Sequence, residues 1–134
     1  RGGTANCTVA VSDEEIASPI ASSPDFVIAM NRPSLVKFQN QIKAGGVLFV
    51  NSSLVQANTS RDDIEVVRVA ADAMAKELGS AKSANMVMLG AFIKKSGIVS
   101  LEGILEGLKI GLKNKTKLIA VNEKAITAGY EAIR

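Results

Sequence analysis

The sequence predicts an α/β fold, a three-layer, Rossmann-like and mostly parallel sheet flanked by helices, with a helical C-terminal half. Three observations carry this expectation. Short apolar runs of strand length recur at 26–30, 47–50 and 64–69. A helically spaced apolar stripe separates the first two, which implies a parallel crossover. From Asp72 onward the apolar residues follow helical spacing.

Residues 4–11 alternate Ala5, Cys7, Val9 and Val11 with Thr4, Asn6, Thr8 and Ala10. That period-two pattern predicts a strand closed by the polar turn Ser12-Asp13-Glu14-Glu15 and turns the Cys7 thiol onto an apolar face. Residues 26–30, introduced by Asp25, form a continuous apolar run, as expected of a strand covered on both faces. Asn31-Arg32-Pro33 then opens a helix, because proline suits a first helical turn. Leu35, Val36, Phe38 and Ile42 supply its stripe, which places the helix at about residues 34–43, before Gly45-Gly46. Residues 47–50 form the next strand, ending in Asn51-Ser52-Ser53, and 64–69 the one after Arg61-Asp62-Asp63.

Four helices complete the pattern: 72–78 before Gly79, 82–95 before Gly97, 100–112 capped by Ser100, and 123–133. The second of them is apolar nearly all round, which predicts burial, and Gly90 within it would admit another backbone. The third carries Leu101, Ile104, Leu105, Leu108 and Leu112 at helical spacing and is expected to pack on the sheet. Neither a repeat nor a linker divides the 134 residues, so residues 1–134 read as one domain.

Composition narrows the function. The sequence has no histidine and one cysteine, which excludes a Ser-His-Asp triad, a Cys-His pair, a histidine zinc site and a self-contained iron–sulfur cluster. The net charge is +3 and the pI about 9.1, yet there is no Trp, one Tyr and four Phe, too few aromatics for the stacking platforms of single-strand nucleic-acid binders. Lys109, Lys113, Lys115 and Lys117 form a basic cluster that is either a solvated face or an attractor for an acidic partner or a phosphate-bearing cofactor. Apolar runs are too short to span a bilayer and no signal segment opens the chain, so a cytoplasmic protein is expected, bound to neither membrane nor nucleic acid.

Candidate site residues fall into three groups. Arg1, Gly2, Gly3 and Asn6 combine a guanidinium fork with bare backbone, suited to an interface or site edge, although a glycine pair before a strand is more often a loop entry. Asn31, Arg32 and Asn51 follow the ends of inferred parallel strands, the edge at which open α/β sheets bind ligands, although capping and turn formation explain the asparagines without a ligand and are the favoured reading. Asn85 is the single strongly polar residue in the apolar stretch of its helix and is expected to find a partner in a loop, a substrate or a subunit. No catalytic or metal-ligating residue is expected.

Arg1-Gly2-Gly3-Thr4-Ala5-Asn6, Asn31-Arg32-Pro33-Ser34, Gly45-Gly46-Val47-Leu48 and Asn51-Ser52-Ser53-Leu54 together resemble the gamma subunit of the 2-oxoacid:ferredoxin oxidoreductases, over nearly the whole chain. Within that family the opening motif looks closer to the 2-oxoglutarate and branched-chain 2-oxoacid types than to the pyruvate types. The resemblance implies a first strand and glycine-rich turn upstream of the motif, expected to be missing here. It also implies an accessory role in a complex that converts a 2-oxoacid and coenzyme A to acyl-CoA and CO2 with reduction of ferredoxin. Thiamine diphosphate, magnesium and iron–sulfur clusters would lie on alpha, beta or ferredoxin-like delta partners, none on this chain alone. Two other classes stay open: a Rossmann-like nucleotide-binding module, which needs a glycine-rich loop not seen here, and a structural adaptor, which fits the all-apolar helix.

Overall fold

The computed structural model describes residues 5–18, 20 and 22–134. Three parallel strands, β1 (Phe26–Ala29), β2 (Val47–Asn51) and β3 (Glu65–Val69), lie side by side in chain order. Phe26 pairs with Val47, and Val47 with Glu65. Because neighbouring side chains on a strand point to opposite faces, β2 sends Leu48 and Val50 one way and Phe49 the other. Both faces are covered, which explains why β2 is apolar without alternation.

On one face lies α1 (Arg32–Phe38), continued by a 3-10 turn, Gln39–Gln41. Leu35 and Ile42 pack there with Leu48, Val50 and Val55. The helix starts two residues before the expected boundary and gives way to the tighter turn before Lys43. Arg61 provides the reason, since its guanidinium takes the carbonyls of Gln39 and Ile42, at 3.1 and 2.7 Å, away from any helical amide. The same guanidinium grips Asp63 in a fork, at 2.7 and 2.5 Å, fastening the start of β3 to the end of α1.

The opposite face carries α2 (Ala71–Glu77) and α3 (Ala84–Ser96), the latter preceded by a 3-10 turn, Ala81–Ser83. Phe92 of α3 stands edge-on to Phe26 of β1 at 5.3 Å and tilted over Phe49 at 5.7 Å. Phe49, Val87, Met88 and Ala91 are sealed from solvent in this layer. Side chains of the size of Phe49 and Met88 each contribute roughly 1.5–3 kcal/mol when fully buried. The expected burial of the nearly all-apolar helix is therefore observed.

α5 (Thr116–Glu131) lies on α3, and α4 (Leu101–Leu112) lies on α5. A Cβ added at Gly90 would stand 1.9 Å from the Ile126 carbonyl oxygen, and one at Gly129 would stand 1.8 Å from that of Val87. The two helices touch backbone to backbone at reciprocal glycines, so the approach anticipated at Gly90 is realised, with Gly129 as its counterpart.

Four expectations are corrected. Residues 5–11 form neither strand nor helix and are exposed, and Cys7 is an exposed thiol rather than a buried one; alternation supplies a pattern but no partner strand. Thr4, the first residue of that expected strand, lies outside the described residues. α4 does not pack on the sheet: α3 already occupies that face, and the stripe from Leu101 to Leu112 is half-buried against α5 with no residue fully buried. α5 begins at Thr116, well before residue 123, because the α4 surface supports its first turns and Lys109 meets Glu123 across the hairpin at 3.6 Å.

Gly90→Ala and Gly129→Ala are each expected to destabilise the fold by about 3 kcal/mol or more, since the clash is with backbone that cannot swing aside. Gly107→Ala in α4, where a Cβ meets nothing within 4 Å, should stabilise by roughly 0.5–1 kcal/mol, and urea titration of the three variants checks all three values. The pair at the other end of the sheet sets a pH dependence. Its hydrogen bonds from Arg61 hold the Asp63 carboxyl below its ordinary value near 3.8. The folded state thus binds this proton less readily than the unfolded chain, and the contribution is complete above the unfolded value and lost as pH falls through the folded one. Unfolding free energy should drop below about pH 4, and Asp63→Asn should flatten that limb of the profile.

Candidate functional site

The carboxyl ends of the three strands converge on one buried amide. Asn51 closes β2 with no exposed surface, and its side chain reaches both neighbouring strand ends. Its Nδ2 donates to the Met30 carbonyl, just past β1, at 3.2 Å and to Asp72 Oδ2, just past β3, at 2.5 Å. Its Oδ1 accepts from the amides of Ala71 at 3.2 Å and Ser53 at 3.3 Å. Two amide hydrogens and two lone pairs are thereby all engaged, leaving none for a ligand. The side chain acts as a three-way tie, and burial makes each bond count because an orphaned partner costs on the order of 1–3 kcal/mol.

Around this tie the backbone turns outward. Ser52 donates its amide to the Val69 carbonyl at 2.8 Å, and Ser53 Oγ accepts from the Ala73 amide at 3.1 Å, so the turn after β2 is stitched to the start of α2. After β1, Asn31 takes an extended backbone and its Oδ1 accepts from the Ser34 amide at 3.0 Å, the N-cap geometry that its position suggests. Arg32 is the first residue of α1 and is exposed; among the described residues it makes no ion pair or side-chain hydrogen bond. The edge thus offers the exposed Arg32 guanidinium, exposed Asn31, and Ser52, Ser53 and Asp72 held in register by a buried amide.

The other sequence-derived candidates lie elsewhere. Arg1, Gly2 and Gly3 are outside the described residues. Asn6 is exposed in a stretch without regular structure. Asn85, expected to be buried and in need of a partner, is instead exposed on the first turn of α3, and its Oδ1 accepts from the amide of Met86 at 3.0 Å. The correction is one of rotation: Ala84, Val87, Met88 and Ala91 face the core, and position 85 falls outside that arc. Asp72 was missed in the sequence; the signal for it was an acidic residue in the first turn of a helix directly after a parallel strand.

Among the described residues no group of three or more thiol, imidazole or carboxylate side chains stands close enough to hold a metal ion. With one cysteine, exposed and alone, the donor set does not fit an iron–sulfur cluster, which takes about four thiolates. A shallow hollow lined by Asp25, Phe26, Lys43, Gly45, Gly46 and Val47 lies at the amino edge of the sheet, away from the asparagine tie. Among the described residues no helix is long and apolar enough to cross a membrane.

Residues 1–132 match the family model described as pyruvate ferredoxin/flavodoxin oxidoreductase. Subunit VorA of ketoisovalerate oxidoreductase from Methanothermobacter thermautotrophicus is 35% identical over all of this chain, which spans 28% of VorA. Subunit KorC of 2-oxoglutarate synthase from Methanothermobacter marburgensis is 36% identical over 99% of this chain and 74% of its own length. Among solved structures, the gamma subunit of a keto/oxoacid ferredoxin oxidoreductase from Geobacter sulfurreducens superposes with a TM-score of 0.80 at 26% identity, over 90% of this chain and 65% of that one.

The tie at the carboxyl edge is testable. Asn51→Ala should lower the unfolding free energy by about 3 kcal/mol, because it orphans Met30, Ala71 and Asp72 together. Asn51→Asp sets a second carboxylate against Asp72, so its deficit should be larger at neutral pH than near pH 5, where protonation relieves the repulsion. Denaturant titrations at the two pH values give both numbers.

Proposed function

We propose, for a chain that belongs to the pyruvate ferredoxin/flavodoxin oxidoreductase family, the role of a non-catalytic gamma component in a 2-oxoacid:ferredoxin oxidoreductase of the 2-oxoglutarate or branched-chain type. The observation that carries the reading is the match to KorC, which runs through 99% of this chain and 74% of that subunit at 36% identity. The match to VorA, a ketoisovalerate oxidoreductase subunit, supports the same branch of the family over 28% of VorA's length. Both agree with the lineage read from Arg1-Gly2-Gly3-Thr4-Ala5-Asn6.

The division of labour follows from the donor set. Oxidative decarboxylation of a 2-oxoacid to an acyl-CoA requires a carbanion-stabilising cofactor and one-electron carriers, which thiamine diphosphate with magnesium and iron–sulfur clusters would supply on alpha, beta or delta partners. This chain contributes no step of that chemistry in our reading. What its own residues do is hold a surface. Asn51 fixes three strand ends in one arrangement, so Asn31 and Arg32 are presented from a rigid edge, the condition for docking another subunit without a large ordering cost. Arg1, Gly2, Gly3, Asn6, Asn31, Arg32, Asn51 and Asn85 are the residues we assign to subunit contact or to the neighbourhood of a cofactor on a partner. Asn51 acts there through the loops that it ties. In the cell the complex would be cytoplasmic.

Affinity purification from the native source should bring down partner polypeptides with iron–sulfur absorbance and with ferredoxin reduction that requires both coenzyme A and a 2-oxoacid. 2-Oxoglutarate and 3-methyl-2-oxobutanoate assayed side by side identify the type. Stoichiometric iron retained by this chain alone after chelation would overturn the assignment of the clusters to partners. Arg32→Ala with Asn6→Ala should lower the yield of assembled complex while leaving the melting curve of this subunit unchanged.

A further inference from the structure

The hairpin of α4 and α5 carries a charge distribution that its own stability does not explain. Between Glu106 and Glu123 the sequence has four lysines and no carboxylate. Two of the lysines serve the fold: Lys109 pairs with Glu123, and Lys113 stands at the C-terminal end of α4, where the helix dipole favours a cation. The other two oppose it. Lys115 and Lys117 flank the N-terminus of α5, which has no side-chain cap and no acidic residue in its first turn, so they add positive charge where the dipole is already positive. Within about one helical turn of the same tip, Ile110 is 63% and Leu118 47% exposed.

We propose that the tip of the α4–α5 hairpin is a docking surface for an acidic protein, whose carboxylates pair with Lys113, Lys115 and Lys117 around a contact on Ile110 and Leu118. Charge complementarity fixes the sign of the partner, and a partner carboxylate supplies the negative charge that the first turn of α5 lacks. An apolar contact ringed by charge is the anatomy of a protein–protein interface. Nucleic acid is the weaker fit, since no aromatic residue lies between Phe92 and Tyr130 to stack on a base. A membrane surface is weaker too, because two aliphatic side chains do not make the broad apolar face of an interfacial helix.

The test uses the full protein carrying this chain, with an acidic ferredoxin as probe; only that choice of probe rests on the function proposed above. Binding is measured at low and high salt, where the screening length falls from about 10 Å near 0.1 M to about 3 Å near 1 M. Lys113→Gln, Lys115→Gln and Lys117→Gln together should weaken binding roughly tenfold or more at low salt and much less at high salt. Ile110→Ser with Leu118→Ser should weaken it at both, and circular dichroism confirms that the variants remain helical. Absence of binding by the parent, parent-like binding by either variant, or equally tight binding of duplex DNA or anionic vesicles would each overturn the proposal. Failure of the complex to turn over any 2-oxoacid would overturn the functional reading and leave this binding measurement standing.

Discussion

The close crossing of α3 and α5 at Gly90 and Gly129 is the contact on which the rest of the chain depends. α3 must lie on the sheet because it is apolar nearly all round, and its outer side would otherwise face water. α5 covers it, bringing Ala125 and Ile126 into the interior, and it can come this near only because neither helix has a Cβ at the crossing. α4 then rests on α5. The order of layers outside the sheet is thus decided by two hydrogen atoms standing where methyl groups would be.

The sheet itself is fastened at both ends by single side chains of different chemistry. At the amino edge Arg61 binds two carbonyls and a carboxylate, a charged clasp that is sensitive to acid. At the carboxyl edge Asn51 ties Met30, Ala71 and Asp72 with a neutral amide, which is better suited to a site without solvent. The contrast follows from exposure: Asp63 keeps 45% of its side-chain surface, so its charge stays solvated, whereas Asn51 keeps none. Rigidity at the carboxyl edge is what the proposed docking of Asn31 and Arg32 requires.

Membership of the pyruvate ferredoxin/flavodoxin oxidoreductase family and the poverty of catalytic side chains point the same way. In the role proposed above, a chain without histidine, with one exposed thiol and with every polar group of Asn51 already engaged would hold and present surfaces. The proposed contribution is thus one of assembly and recognition rather than of bond making.

Much of this was legible in the sequence because it depends on local patterns. The three strands were placed to within a residue by short apolar runs between turn signals, and Asn31 and Ser100 cap helices as their residue types demand. The burial of α3 followed from periodicity and composition, and Gly90 marked a place where another backbone could approach. The sequence also sufficed to identify the family. Only the tertiary structure decided which amide was buried. Asn85 looked enclosed because its neighbours in sequence are apolar, but a helix turns each side chain by its own angle, and position 85 points to water. Asn51 looked like a turn residue, and became the tie because β1 and β3 run on either side of it, 21 residues away in each direction for two of its bonds. Residues 5–11 have the alternation of a strand and no strand beside them, while α4 has the stripe of a sheet-packing helix and finds the sheet already covered. Periodicity states which side of an element is apolar; what lies against that side is fixed by the order in which the other elements occupy the available surface.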